Sequence, residues 1–218
     1  VRCEGLVLIA GFDPALAGAT ARLVRSDGVE VELSVHRWRD PAAGEDRWLL
    51  DRCAGSTLDL GCGPGRLVEA LLARGLPALG VDVSTVAEAA CRRRRVPMVR
   101  RDVFAPLPAE GQWDHALLAD GNIGIGGDPL RLLRRAAELV RGGGTVLVET
   151  GGRPEELWRG TARVHAAAAA GAPVPWAEAG AGALTRIAAD AGLHRTGGHT
   201  GARSFVELTA AASVMGLP

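Results

Sequence analysis

The stretch Leu58-Asp59-Leu60-Gly61-Cys62-Gly63-Pro64-Gly65-Arg66 constrains this chain more than any other. It sets glycines at alternate positions between a short apolar run, Thr57–Leu60, and a helical pattern, Arg66–Arg74. Glycine adopts backbone conformations closed to other residues, so such a turn can be tight and can bring main chain close to a ligand. The helix behind it offers free N–H groups and the positive end of its dipole. Alone, a glycine-rich turn is a weak sign, because any strand-to-helix turn can use glycine. Two carboxylates sharpen it. Asp59, at the end of its strand, would repel a pyrophosphate but suits a cation or an amine. Asp82 ends a second strand about twenty residues on, the separation at which an acid receives ribose hydroxyls.

From Thr57 onward strands and helices alternate. The pattern predicts strand Leu79–Val83, helix Thr85–Arg94 with Ser84 as N-cap, strands Met98–Arg101 and His115–Ala119, helix Pro129–Val140 and strand Thr145–Glu149. Arg141-Gly142-Gly143-Gly144 reads as a helix stop, Gly182–Ala191 as a helix, and His194–Thr200 with Arg203–Leu208 as a hairpin around Gly201. Such alternation predicts βαβ units and a parallel sheet covered on both faces. Before it, Ala21–Val24 and Val29–Val35 flank Ser26-Asp27-Gly28, a strong hairpin turn signal. Pro41–Gly44 reads as a linker, Glu45–Cys53 as helical, and the alanine-rich run Ala166–Ala170 as a helix. The expected organisation is a single domain over residues 1–218, with residues 1–50 forming an N-terminal hairpin or lid and residues 51–218 the ligand-binding core.

Composition narrows the chemistry. Basic and acidic side chains number 25 each, whereas a dedicated nucleic-acid binder usually carries a basic excess. Every basic residue is Arg, and Lys and Tyr are absent, which excludes lysine Schiff bases, a lysine-bearing phosphate loop and tyrosine acid–base chemistry. Cys3, Cys53, Cys62 and Cys91 are too scattered for a disulfide framework or a zinc site and read as reduced thiols. The early apolar run Leu6–Ala10 falls far short of the ~20 residues of a membrane span. No signal-peptide pattern is present, and a chain beginning at Val1 is expected to have lost its initiator; a cytoplasmic, membrane-free protein is the expectation.

With these motifs in view, the chain resembles the class I S-adenosylmethionine-dependent methyltransferases. Asp59-Leu60-Gly61-Cys62-Gly63-Pro64-Gly65 is similar to the family's first motif, which wraps the methionine and ribose parts of the cofactor. Gly80-Val81-Asp82-Val83-Ser84 resembles the second-strand motif, and Arg101-Asp102-Val103-Phe104 the place where an acid and the following N–H read adenine. Trp113–Ala119, with Asp120 and Gly121 at its mouth, is similar to the fourth strand, and Leu139–Leu147 to the approach to the fifth. The resemblance runs from about Leu58 to Glu149 and more loosely to Leu208. It implies a Rossmann-like, doubly wound α/β fold, with a seven-stranded, mostly parallel sheet ending in an antiparallel C-terminal strand. S-adenosylmethionine is the implied cofactor and S-adenosylhomocysteine its product. The implied cofactor-binding residues are Asp59, Gly61, Cys62, Gly63, Gly65, Asp82, Val83, Asp102, Val103, Ala119, Asp120 and Gly121. The Gly-Cys-Gly-Pro-Gly spacing departs from the nicotinamide-binding pattern and disfavours an oxidoreductase.

The expected reaction is methyl transfer to oxygen or nitrogen of a small molecule by in-line displacement, in which the protein aligns acceptor and methyl and excludes water. Candidate catalytic residues are His36, His165 and Asn122, and candidate substrate contacts are Trp38, Asn122 and Trp176. Each has a plainer reading: a surface histidine on a capping hairpin, a loop asparagine in the left-handed region, or tryptophans packing cap to core. His115 lies in a strand and reads as structural; His194 and His199 flank the terminal hairpin. Arg37 or Arg39 could pair with the cofactor carboxylate or simply be solvated. The basic run Arg92–Arg95 with Arg100 and Arg101 reads either as a solvated helix end or as an RNA contact, which keeps RNA or protein methylation open. A cofactor-binding module with other chemistry or a regulatory role is the remaining alternative. No metal-ligand cluster is evident.

Overall fold

The computed structural model describes residues 10–17, 20–166 and 169–212. Cys3 and residues 6–9 lie outside them. In chain order the elements are helix α1 (Asp13–Leu16), strands β1 (Ala21–Arg25) and β2 (Glu30–Leu33), and helices α2 (Val35–Arg39) and α3 (Asp46–Leu50). Then come β3 (Thr57–Leu60), α4 (Arg66–Ala73), β4 (Ala78–Asp82), α5 (Thr85–Arg94), β5 (Met98–Arg100), β6 (Trp113–Leu118) and α6 (Pro129–Leu139). The chain continues with β7 (Val140–Thr150), β8 (Leu157–Ala166), β9 (Ala169–Ala170), β10 (Val174–Ala179), α7 (Ala181–Ala188), β11 (Leu193–Thr200) and β12 (Ser204–Ala210).

The principal sheet has seven strands in the order β11-β12-β7-β6-β3-β4-β5. Strands β7, β6, β3, β4 and β5 are mutually parallel, and β12 inserts antiparallel between β7 and β11. This is the Rossmann-like doubly wound α/β fold. Strand order reverses between β3 and β6, so a crevice opens at their carboxyl ends, where such sheets hold ligands.

Period-two burial explains how the sheet is covered. Leu58, Leu60, Ala116, Leu118, Val146 and Val148 face one layer with α6 and α7. Leu117 and Leu147 face the other, against α3 and α4 through Leu49, Leu67, Val68 and Leu71. Two helix starts are capped by side chains. Ser84 Oγ accepts hydrogen bonds from the N–H groups of Val86 and Ala87 at 3.0 and 3.1 Å, capping α5 as its sequence predicts. Asp128 caps α6 in the same way, with Pro129 preset for the first turn.

A second sheet, β10-β8-β1-β2 with β9 beside β8, is absent from the sequence reading. The N-terminal hairpin therefore does not stand alone: β1 pairs with β8, matching Leu23 with Val164 and Arg25 with Ala162. Three local expectations change. The alanine-rich run is not helical where described, since Ala166 ends β8 and Ala169–Ala170 form β9. Val35 leaves the predicted strand to start α2, because only there do Val35 and Trp38, one helical turn apart, both face the core. The Arg141–Gly144 stretch belongs to β7, whose pairing with β6 shifts register between Trp113 and His115.

Candidate functional site

The glycine turn follows β3, whose four residues are all buried. Gly61 and Gly63 adopt φ of 77° and 51°, and Gly65, at the N-cap of α4, 81°. A Cβ on Gly61 would meet Asn122 Nδ2 at 2.6 Å, and one on Gly65 would meet Val96 Cγ2 at 2.8 Å and Cys91 Sγ at 2.9 Å. Conformation and space thus both demand glycine. The turn is pinned from β4, where Val81 O accepts from the Gly61 and Cys62 N–H groups at 2.8 and 3.1 Å. Asn122, at the start of a 3₁₀ segment (Asn122–Gly127), donates from Nδ2 to the carbonyls of Leu60 and Gly61 at 2.9 and 2.8 Å.

Asp82, at the end of β4, accepts the Gly63 N–H on Oδ2 and the Ser84 N–H on Oδ1, both at 2.9 Å. Burial raises its pKa, against the pull of those amides. Ser84 Oγ donates to Asp13 Oδ1 at 2.6 Å, which fastens α1 to this corner. Asp102 Oδ1 accepts the Phe104 N–H at 2.9 Å, and the Arg131 guanidinium lies 3.9 Å over the Phe104 ring. Asp59 is buried, and burial pushes its pKa up to about 7 despite the nearby positive charge of Arg66.

Behind this floor runs a buried ionic network. Arg66 reaches Asp46 at 3.0 Å and Asp120 at 2.5 Å. Arg203 engages Asp46, Asp120 and Glu149, and Arg37 of α2 reaches Asp120 at 2.9 Å. Burial alone would raise the Asp120 pKa, but attraction to Arg66, Arg37 and Arg203 holds it below the ordinary carboxylate value. Arg66 is only 3% exposed, yet its Nε has no hydrogen-bond partner among the described residues, a costly omission unless something fills it.

These elements bound a cavity of about 410 Å³. Of the predicted residues, Asp59, Gly61, Cys62, Gly63, Asp82, Val83, Asp102, Val103, Ala119, Asp120, Asn122, Trp38 and Trp176 line it. Gly65 instead shapes the turn from behind, and Gly121 lines an adjoining chamber of about 920 Å³. The two cavities share Phe12, Trp38, Asp120 and Trp176, with the Phe12 and Trp176 ring centroids 4.8 Å apart.

Neither His36 nor His165, the two candidate catalytic histidines, lines either cavity. Helical spacing turns Val35 and Trp38 inward and leaves His36 exposed, and His165 alternates with buried Val164 on β8, so it faces away from the core. Asn122 braces the turn as well as lining the cavity. His115 is structural: Nε2 accepts the Ala54 N–H at 3.1 Å, so Nδ1 carries the proton and donates to Thr145 Oγ1 at 2.8 Å. His199 contacts Glu45 at 3.0 Å. In the basic run, Arg92 and Arg100 pair with Glu88, and Arg94 with Glu69. Cys62 is buried beside Cys91, whose hydrogen bond, with burial, raises the Cys62 pKa well above the usual thiol value. Among the described residues no cluster of three or more metal-ligating side chains occurs, and no helix is long and apolar enough to cross a membrane.

Sequence reasoning missed Phe12, Arg66 and Arg131 as lining residues and the Arg203–Glu149 pair behind them. A signal existed for the second sheet: Trp158, Gly160, Ala162 and Val164 alternate with Arg159, Thr161, Arg163 and His165.

Residues 57–144 match the family model described as a methyltransferase domain. Over 136 residues the chain is 30% identical to a ubiquinone biosynthesis O-methyltransferase of Methylococcus capsulatus, covering 53% of this chain and 56% of that protein, little more than half its length. Among solved structures, an S-adenosylmethionine-dependent methyltransferase from Bacteroides fragilis in complex with S-adenosylhomocysteine aligns at TM-score 0.75 and 20% identity over 97% of this chain and 98% of the other. A sugar N-methyltransferase from a Streptoalloteichus species aligns at TM-score 0.59 and 19% identity, covering 78% of this chain and 87% of that one.

Proposed function

We infer that this chain, which belongs to the class I S-adenosylmethionine-dependent methyltransferases, transfers a methyl group to an oxygen or nitrogen of a small-molecule acceptor. The observation that carries this reading is the cavity bounded by the glycine turn, Asp82 and Asp102 and adjoining a second, larger chamber.

The residues present fit the cofactor. Asp82 spends one lone pair of each oxygen on backbone N–H groups and keeps the others for vicinal ribose hydroxyls. Asp102 and the Val103 backbone stand where an adenine edge would be read, beside the Phe104 ring. At the other end, Asp59 and the Arg66 Nε, which has no partner among the described residues, are two buried groups of opposite charge without a direct bond to each other; they match the ammonium and carboxylate of an amino acid. When bound, the cofactor supplies a sulfonium methyl with a thioether as leaving group.

The chain's task is then alignment and dryness. Phe12, Trp38 and Trp176 wall the passage to the larger chamber and exclude water, which would compete with the acceptor. None of the five histidines lines either cavity. Asp120, the carboxylate shared by both, is held ionised by three arginines and is a poor base. It orients the acceptor, which must bring a lone pair of its own or release its proton to solvent. The small-molecule reading is tested by incubating the protein with methyl-labelled cofactor and a metabolite extract. Label in a low-mass product is expected; label confined to RNA or protein overturns it.

A further inference from the structure

The larger chamber lies under the inner face of the second sheet, where strand alternation sets Leu23 and Arg25 of β1 and Val174, Trp176 and Glu178 of β10. Val174 lines only the cofactor cavity, Trp176 both cavities, and Glu178 only the chamber. Strand β10 therefore leads from one to the other, with Glu178 about 7 Å along it from Trp176.

Charge in the chamber is unbalanced locally. Six carboxylates (Glu32, Asp120, Glu149, Glu155, Glu156 and Glu178) and three arginines (Arg25, Arg37 and Arg153) line it, while Arg66, Arg203 and Arg186 reach Asp120, Glu149 and Glu155 from outside the lining. The imbalance is sharpest at Arg25, only 6% exposed, whose single guanidinium meets Asp27 at 2.5 Å, Glu178 at 2.8 Å and Glu156 at 3.3 Å. One carboxylate suffices to neutralise an arginine; two more in partial burial repel each other unless another cation arrives. Oε2 of Glu178 takes the arginine bond, and Oε1 has no hydrogen-bond partner among the described residues. The aromatic faces of Phe12, Trp38 and Trp176 next to this surplus also favour a cation.

We propose that the larger chamber is the acceptor site and that it selects a small molecule bearing an organic cation, anchored by Glu178 and Glu156 at a distance from the atom that is methylated. The proposal rests on the methyl-transfer reading and deepens it. An anionic acceptor meets the carboxylate surplus and is rejected.

The test uses the full chain with S-adenosylhomocysteine present and absent, and three probes of one shape: tyramine, 4-ethylphenol and 3-(4-hydroxyphenyl)propionate. Binding is read by tryptophan fluorescence and saturation-transfer NMR. Tyramine is expected to bind about ten-fold tighter than the neutral probe and the acid weakest, a ranking that about 1 M salt compresses. Glu178→Gln leaves Arg25 with two carboxylates and is expected to bring tyramine within about two-fold of 4-ethylphenol, with nucleoside affinity unchanged. Glu156→Gln is expected to act in the same direction. Equal binding of tyramine and 4-ethylphenol to the native chain, preference for the acid, no binding of any probe, or an undiminished preference in a folded Glu178→Gln variant each overturn the proposal. The native ranking decides alone if that variant does not fold. Absence of S-adenosylhomocysteine binding overturns the methyl-transfer reading instead, and the titrations made without it read cation preference separately.

Discussion

Arg66 Nη2 lies 2.5 Å from Asp120 Oδ2, joining the helix behind the glycine turn to the loop after β6 across the floor of the cofactor cavity. The same guanidinium holds Asp46 at 3.0 Å. Removing it leaves two buried carboxylates short of a counter-charge, which costs about 3–5 kcal/mol. Arg66→Met is expected to lower the melting temperature by about 10 °C and to weaken S-adenosylhomocysteine binding, measured by calorimetry.

Asp82 is expected to dominate nucleoside affinity. Asp82→Ala removes the acceptor for two ribose hydroxyls and frees the Gly63 and Ser84 amides, a loss of about 2–3 kcal/mol or roughly 30- to 150-fold in Kd. Retention of native affinity would assign the cavity to another ligand.

Cofactor affinity is expected to rise with pH near neutrality. Burial lifts the Asp59 pKa to about 7, so without ligand its contribution to stability is full below the unfolded value near 4 and is lost as pH rises through about 7. A bound ammonium favours the ionised form, so binding expels a proton. Titrations in buffers of different ionisation enthalpy are expected to show that release and tighter binding at pH 8 than at pH 6. Asp59→Asn flattens the profile.

Asn122 separates bracing from chemistry. Asn122→Ala leaves the Leu60 and Gly61 carbonyls without this donor and is expected to cost about 1–3 kcal/mol. Asn122→Asp sets a carboxylate against both oxygens and is expected to be worse in nucleoside affinity as well as stability. A catalytic role for Asn122 would instead lower kcat with affinity intact.

His36→Ala and His165→Ala are both expected to leave methyl transfer within about two-fold of the native rate, since neither ring faces a cavity and isolated surface changes cost little.

The contrast between these histidines and Asp82 shows what the sequence made legible. Asp59, the glycines and Asp82 work through local geometry: strand end, turn, helix start, next strand end. Spacing alone brings them together, and Ser84 and the α5 start were readable for the same reason. His36 and Trp38 were placed in one segment correctly, but their facing depended on a short helix that a β-like pattern concealed. The second sheet depends on pairing segments more than a hundred residues apart, such as Arg25 with Ala162, and no local signal specifies such a partner. The Arg66–Asp46–Arg203 network escaped for the same reason: its members come from α4, α3 and the turn before β12.

The roof over the passage is stitched from both sides of the floor in sequence, β1 and β2 preceding it and β8 and β10 following β7. Its strands reach the nucleoside-facing cavity only through Val174, Pro175 and Trp176. Mutational drift over most of that sheet can therefore alter which guests are admitted while the methyl-donor floor stays intact. Half a roof, however, would leave β8 with an open edge, so the sheet holds together only as a whole.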